Sequence, residues 1–266
     1  MLQADYHIHS VSPDAKVPME QMCEAAIGRG LAEIAVTDHY EFYAHGVHRS
    51  FFHEEYLKEY MRSLEACRER YAGQLIIRFG IEIGQLHLCP REAFDVIRRY
   101  PFDYIIGSLH KIENVDLSLM DYTERTAPQI AEAYYRHLLE LSEVGEFDCL
   151  GHLDLVKRHT SKHGFPDYYS QYEPVIDQVL RNLVSRGKGI EINTSGIRQG
   201  AGETMPGLRT LERFVGLGGQ VVTVGSDAHR PADVAADFEA AEGLLRRAGV
   251  KAVTHFHRRC GFSQAF

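Results

Sequence analysis

The chain has no tryptophan and only five cysteines among 266 residues. Cys23, Cys67, Cys89, Cys149 and Cys260 form an odd set without a C-x-x-C pair. That argues against a disulfide framework and a thiolate zinc site, and leaves them as reduced packing residues. No apolar run approaches the roughly 18 residues of a membrane span, and the opening MLQADYHIHS lacks both the basic and the apolar region of a signal peptide. The expectation is a soluble, cytoplasmic protein with no membrane partner. Positive charge is short too: 29 Lys+Arg against 37 Asp+Glu give a net charge of −8, the wrong sign for gripping a polyanion, so nucleic acid is disfavoured as a partner. Linkers and low-complexity runs are missing, so residues 1–266 are expected to form one domain. At 44% hydrophobic and 25% charged residues, the composition is that of a globular protein. Histidine is what the chain has in excess: 15, more than its 14 Tyr or 13 Phe.

Short β-rich runs at 3–9, 32–37, 75–84, 102–109, 147–153, 188–193 and 219–226 alternate with segments of helical period at 18–30, 54–72, 90–99, 124–145, 170–186, 206–217 and 231–248. Pro18 and Pro231 stand where helices start, and Gly30, Gly73, Gly145, Gly187, Gly218 and Gly249 where a left-handed cap is expected. The alternation predicts an α/β fold of parallel strands joined by right-handed crossovers. Each predicted strand ends in a residue suited to metal or substrate: His7 and His9, then His39, Glu82, His110, His152, Asn193, and Asp227 with His229. An open sheet gathers such groups at one switch point, whereas a barrel brings every strand end to one mouth. The distribution favours a small, distorted barrel with its site at the C-terminal ends of the strands.

Three local motifs carry the chemistry: D-Y-H-I-H at 5–9, T-D-H at 37–39 and G-S-D-A-H at 225–229. Residues two apart on a strand share a face, so His7 and His9 can present both imidazoles to one centre. Glu82 lies between Ile81 and Ile83, where an uncompensated carboxylate is costly and a cation partner is expected. A single histidine at a strand end is usually structural; the joint placement of His7, His9, His39, Glu82, His110, His152, Asp227 and His229 carries the metal reading. Six imidazoles and two carboxylates exceed one tetrahedral site and suit two or three divalent ions, with Zn, Mn and Fe all compatible. His255-x-His257 ends no predicted strand and is not expected at the site. His87, His137, His159, His163 and His53 are expected to be solvated or packed; His45 and His48 lie at the mouth, where substrate contact is open to them.

The ordered set D-Y-H-I-H, T-D-H, G-I-E-I-G, S-L-H, G-H-L-D and G-S-D-A-H resembles the polymerase-and-histidinol-phosphatase (PHP) superfamily from residue 5 to about residue 250. G-H-L-D-L-V-K-R (151–158) and E-I-N-T (191–194) resemble its histidinol-phosphate phosphatase branch. The resemblance implies a distorted (βα)7 barrel and a trinuclear centre. His7, His9, Glu82 and Asp227 would hold one ion, Glu82 would bridge to a second on His110 and His152, and His39 with His229 would hold a third. Where many members carry a further histidine, S-V-S-P-D puts Asp14, a carboxylate able to ligate the third ion.

Such a cluster does hydrolytic chemistry, because divalent ions ionise water near neutrality and stabilise the attacking and leaving oxygens of a phosphoryl displacement. The implied reaction is hydrolysis of a phosphate monoester, L-histidinol phosphate to L-histidinol and phosphate, by a metal-bridging hydroxide, with Glu82, Asp227 and His229 as catalytic groups. Arg158 and Arg198 are candidates for the phosphate clamp, with Lys111 a third and Ser195 and Asn193 adding hydrogen bonds. Asp154, Glu41, Tyr43 and His48 are candidates for the rest of the substrate, and Asp38 for orienting a ligand or capping a helix. The alternatives are a nucleotide phosphatase or exonuclease of the same superfamily, and a non-catalytic metal-binding module.

Overall fold

The computed structural model describes residues 1–10, 15, 17–41 and 54–266. Its strands are β1 (Ala4–Ile8), β2 (Glu33–Val36), β3 (His39–Glu41), β4 (Ile76–Gly84), β5 (Tyr104–Ser108), β6 (Lys111–Ile112), β7 (Val115–Asp116), β8 (Cys149–Leu150), β9 (Gly189–Asn193), β10 (Val222–Gly225), β11 (Ala252–His257) and β12 (Cys260–Ala265). Its α-helices are α1 (Met19–Gly28), α2 (Glu54–Arg70), α3 (Pro90–Arg99), α4 (Thr126–Val144), α5 (Val156–Lys162), α6 (Tyr169–Ser185), α7 (Ser195–Arg198), α8 (Leu208–Gly216) and α9 (Phe238–Arg247). The main sheet runs β1-β2-β4-β5-β8-β9-β10, with β3 beside β4, and all its pairings are parallel. It closes at the mouth: Asp227 N donates to His7 O at 2.8 Å and His9 N to Ala228 O at 2.9 Å. The fold is therefore a nearly closed α/β barrel. Among the described residues, no helix is long and apolar enough to cross a membrane.

Strand alternation sorts the side chains. Ile34, Val36, Ile77, Phe79, Ile81, Ile83, Ile190, Ile192, Val222 and Val224 form one core with helix residues such as Leu64, Leu138, Leu180 and Phe214. The opposite parity faces the barrel axis, where Ala4, Tyr6, Ala35, Tyr104, Ile106, Cys149 and Phe256 make a separate small core. Phe256 arrives on β11, which with β12 forms an antiparallel hairpin. Its ring lies 5.0 Å from that of Tyr104. On the same strand His255 Nδ1 lies 3.3 Å from Glu33 Oε2 and His257 Nδ1 3.0 Å from Asp103 Oδ1. Glu33 opens β2 and Asp103 precedes β5, so this histidine pair sits at the end of the barrel away from the mouth.

The predicted strands and helices are present, with instructive differences. The run at 147–153 is extended only over Cys149–Leu150, because His152 turns to φ 21°. The helix expected from 231 starts at Phe238. Ala235 N is held by Asp5 at 2.9 Å and Ala236 O by Thr194 Oγ1 at 2.7 Å, contacts that tie the preceding segment to neighbouring strands instead. Gly145 ends α4 at φ −64° rather than left-handed; it is needed because a Cβ there would strike Phe147 and the Leu141 carbonyl. The hairpins β6–β7 and β11–β12 and the short helices α5 and α7 lie outside the predicted rhythm.

Candidate metal centre

The first strand departs from simple alternation. Its register shifts between Asp5 and Ile8, so Tyr6 fills the inner core while His7 and His9 both reach the mouth. The Asp5 carboxylate secures this bend by accepting His7 N at 3.2 Å, Ser226 N at 2.9 Å and Ala235 N at 2.9 Å. Burial pushes its carboxyl up to about 6 even against these hydrogen bonds.

Glu82, fully buried on β4, is the hub. Its Oε1 lies 2.9 Å from His152 Nε2, 3.1 Å from His110 Nε2 and 2.6 Å from Ser108 Oγ. Its Oε2 lies 2.7 Å from His39 Nδ1, 3.3 Å from His7 Nε2 and 3.6 Å from His9 Nε2. Asp227 Oδ1 stands 3.2 Å from His9 Nε2, 3.8 Å from His7 Nε2 and 3.5 Å from His229 Nδ1. The structure thus brings together His7, His9, His39, Glu82, His110, His152, Asp227 and His229. His152 and Asp227 both have positive φ, 21° and 55°, a strain of about 1–3 kcal/mol each that is typical of functional sites.

A second set of groups aims the first. Glu191 Oε1 is 2.6 Å from His7 Nδ1, and its Oε2 accepts His152 N at 2.8 Å and Asn193 Nδ2 at 3.2 Å. Glu41 Oε1 is 2.6 Å from His110 Nδ1; its Oε2 accepts from Gln85 Nε2 at 2.7 Å and lies 3.4 Å from Lys111 Nζ. Ser195 Oγ donates to Asp227 Oδ2 at 3.1 Å. Close approach is possible because a Cβ at Gly225 would collide with His7 and Glu191.

Electrostatics follow from this packing. Burial opposes protonation of His7, yet the carboxylates of Glu191, Glu82 and Asp227 raise its pKa well above normal. The same opposition, with Glu82 and Glu41 as partners, leaves His110 at about 9. Burial opposes ionisation of Glu82, but His110, His7 and His39 hold it well below the carboxylate range; His7 and His9 do the same for Asp227. His9 is pushed well down by burial and by its neighbours His229 and His39.

The donor set fits divalent cations. Among the described residues, His7 Nε2 and both nitrogens of His9 are buried without a hydrogen bond, although His7 Nε2 lies 3.3 Å and His9 Nε2 3.6 Å from Glu82 Oε2, and His9 Nε2 3.2 Å from Asp227 Oδ1. Buried imidazole nitrogens and carboxylate oxygens converging on one point are what a metal satisfies once it displaces their protons. Three-donor groupings include His7 with Glu82 and His152, His7 with His9 and Asp227, and His9 with His39 and His229.

A cavity of about 590 Å³ opens over the cluster; beyond residues of the cluster it is lined by Lys111, Asp116, Leu117, Arg158, His159 and Gln199. Arg158 Nη1 donates to Gln199 Oε1 at 2.6 Å. Arg198 is placed elsewhere: it donates to Ser226 O at 2.7 Å and Asp237 Oδ2 at 3.1 Å and does not line the cavity. Asn193 and Ser195 are buried behind Asp227, so they face its carboxylate rather than the cavity. Glu41 is bound to His110 and Lys111, and Asp154 pairs with Lys157 at 2.8 Å. Asp38 accepts from Ser10 N at 2.6 Å and Tyr56 OH at 2.9 Å. Asp14, Tyr43, His45, His48 and His53 lie outside the described residues. Sequence reasoning missed Glu191 as an orienting group, although its inward parity with Asn193 on β9 was a usable signal. It also missed Asp116 and Gln199, and His159, expected to pack or be solvated, borders the cavity.

Fold and site define an α/β barrel whose mouth gathers a donor set suited to divalent metal. A model of the PHP domain matches residues 5–195, and the chain belongs to that family. It is 30% identical to a histidinol-phosphatase of Lactococcus lactis over 99% of this chain and 95% of that protein. It is 29% identical to a probable histidinol-phosphatase of Clostridium acetobutylicum over 94% and 95%. The crystal structure of histidinol phosphate phosphatase from L. lactis, complexed with zinc, L-histidinol and phosphate, superposes with a TM-score of 0.83 at 26% identity, covering 98% of this chain and all of that one.

Proposed function

We propose that the chain acts as a single PHP-type domain that hydrolyses L-histidinol phosphate to L-histidinol and phosphate, in the cytoplasm and in the service of histidine biosynthesis. The observation that carries this is the gathering of eight metal-type donor residues, five of them histidines around Glu82, beneath an open cavity, in a chain similar end to end to a phosphatase crystallised with zinc, L-histidinol and phosphate. We assign two or three ions, Zn, Mn or Fe: His7, His9, Glu82 and Asp227 for one, Glu82, His110 and His152 for a second, His39 and His229 for a third.

Divalent ions held there supply Lewis acidity, ionising water near neutral pH and neutralising charge on phosphoryl oxygens. The chain does the rest. Glu191 and Glu41 hold the Nδ1 protons of His7 and His110, so that each Nε2 lone pair points to the centre. Asn193 and Ser195 fix Asp227. Arg158, steadied by Gln199, offers a planar fork to the phosphate. Asp116 provides negative charge at the cavity wall for a cationic amine. Glu82, Asp227 and His229 surround the reacting position as the catalytic groups.

The test is phosphate release from L-histidinol phosphate, nucleoside monophosphates and single-stranded DNA, measured side by side before and after chelation. The highest kcat/KM is expected on L-histidinol phosphate, lost on metal removal and restored by Mn or Zn. A higher kcat/KM on a nucleotide, or turnover that survives exhaustive chelation, overturns the reading.

A further inference from the structure

Away from the catalytic cavity, three metal-type donors meet from two parts of the fold. His87 lies on the single 3-10 turn Leu86–Leu88 that follows β4. His137 and Glu140 lie one turn apart on α4, so they share a face. His87 Nε2 is 3.0 Å from His137 Nδ1, and His137 Nδ1 is 3.7 Å from Glu140 Oε2. One donor atom from each falls within 4.8 Å of the others. None of the three lines the catalytic cavity.

We propose that His87, His137 and Glu140 bind one divalent transition-metal ion of the zinc class at a site separate from the catalytic cluster. Donors about 2.0–2.1 Å from a tetrahedral zinc stand roughly 3.3 Å apart, and the 3.0 and 3.7 Å separations bracket that edge. A hydrogen bond between two neutral imidazoles explains the ring contact, and the helical spacing on α4 brings the Glu140 carboxylate to the same point, so three donors converge there. Burial and the charge of His137 hold His87 at about 4, and burial lowers His137 as well, so both rings keep a lone pair at neutral pH. Glu140 is half-exposed, its side chain 49% accessible, which gives an ion a path from solvent. The 3-10 turn follows directly on Gln85, whose amide donates to Glu41 at 2.7 Å; an ion here fastens that turn to α4.

The experiment uses the full-length protein, stripped by chelation and refilled in buffered free zinc, with ions per chain counted by elemental analysis and affinities read by dye competition. H87Q/H137Q is expected to hold one ion fewer than the wild-type chain, with hydrolysis unchanged within about twofold. E140Q is expected to weaken one ion at least tenfold. Equal counts in the wild type and the folded double variant overturn the proposal. So does an extra ion seen only above millimolar zinc, or an ion lost together with hydrolysis, which assigns it to the catalytic cluster. Should circular dichroism show the double variant unfolded, E140Q decides, and an unchanged affinity there is the overturning result.

Discussion

His7 Nδ1 lies 2.6 Å from Glu191 Oε1, and both side chains are shut off from solvent. The contact makes His7 a donor at Nδ1 and leaves Nε2 directed at Glu82, so Glu191 would orient a proposed ligand without itself reaching the ion. Groups in this position typically cost 10–100-fold in metal affinity or activity when changed. Glu191→Gln is expected to lower metal content at limiting zinc, and kcat with it, by about that factor while far-UV circular dichroism stays unchanged. Elemental analysis and initial rates check it; wild-type values for both would assign Glu191 a purely structural role.

Removal of a proposed ligand is expected to be harsher. His9→Ala leaves Asp227 and Glu82 facing each other across a gap, and Asp227→Asn removes one of two carboxylates in the cluster. Either change is expected to reduce phosphate release by about two orders of magnitude or more and the ion count by at least one. His255→Ala and His257→Ala, at the far end of the barrel, are expected to leave the ion count untouched.

The two arginines separate by location. Arg158→Ala is expected to raise KM for a phosphate monoester at least tenfold, because a charged fork leaves the cavity wall. Arg198→Ala is expected instead to cost about 1–3 kcal/mol of stability through its bonds to Ser226 O and Asp237, with a smaller change in KM. Denaturant melts and Michaelis–Menten fits on both variants distinguish these outcomes; a KM effect confined to Arg198 contradicts the placement.

Glu33 contributes to acid stability at the end of the barrel away from the mouth. Burial opposes its ionisation, but hydrogen bonds from His255, Arg78 and Tyr6 lower it from an ordinary 4.5 to about 2. A depressed folded-state pKa gives stability that is complete above the unfolded value and lost as pH falls. The metal-free protein is therefore expected to lose stability between about pH 4.5 and 2, and Glu33→Gln to flatten that dependence. Denaturant midpoints across the interval provide the measurement, and an equally steep loss in the variant assigns the acid sensitivity to other groups.

Phe256 closes the far end of the barrel against Tyr6 and Tyr104. Its backbone N–H donates to Tyr6 OH at 2.7 Å. Phe256→Ala is expected to cost about 3–5 kcal/mol, the usual penalty for emptying a large aromatic from a core. Thermal unfolding reads it directly; a loss below 1 kcal/mol means that the hairpin does not contribute to the core.

The sequence alone determined the strand–helix alternation and the family pattern, and the run of polar groups at strand exits, because period and parity are local properties of the chain. His7, His9, His39, Glu82, His110, His152, Asp227 and His229 were legible for that reason. Tertiary structure decided what each group faces. Glu191 holds His7 across 184 residues of chain, Arg198 turns to Asp237 instead of the cavity, and His87 meets His137 from a different element. Such pairings depend on how the sheet closes and how the helices pack over it, and no local spacing encodes either. The reach of a side chain is only a few ångströms, so neighbours are settled when the barrel shuts.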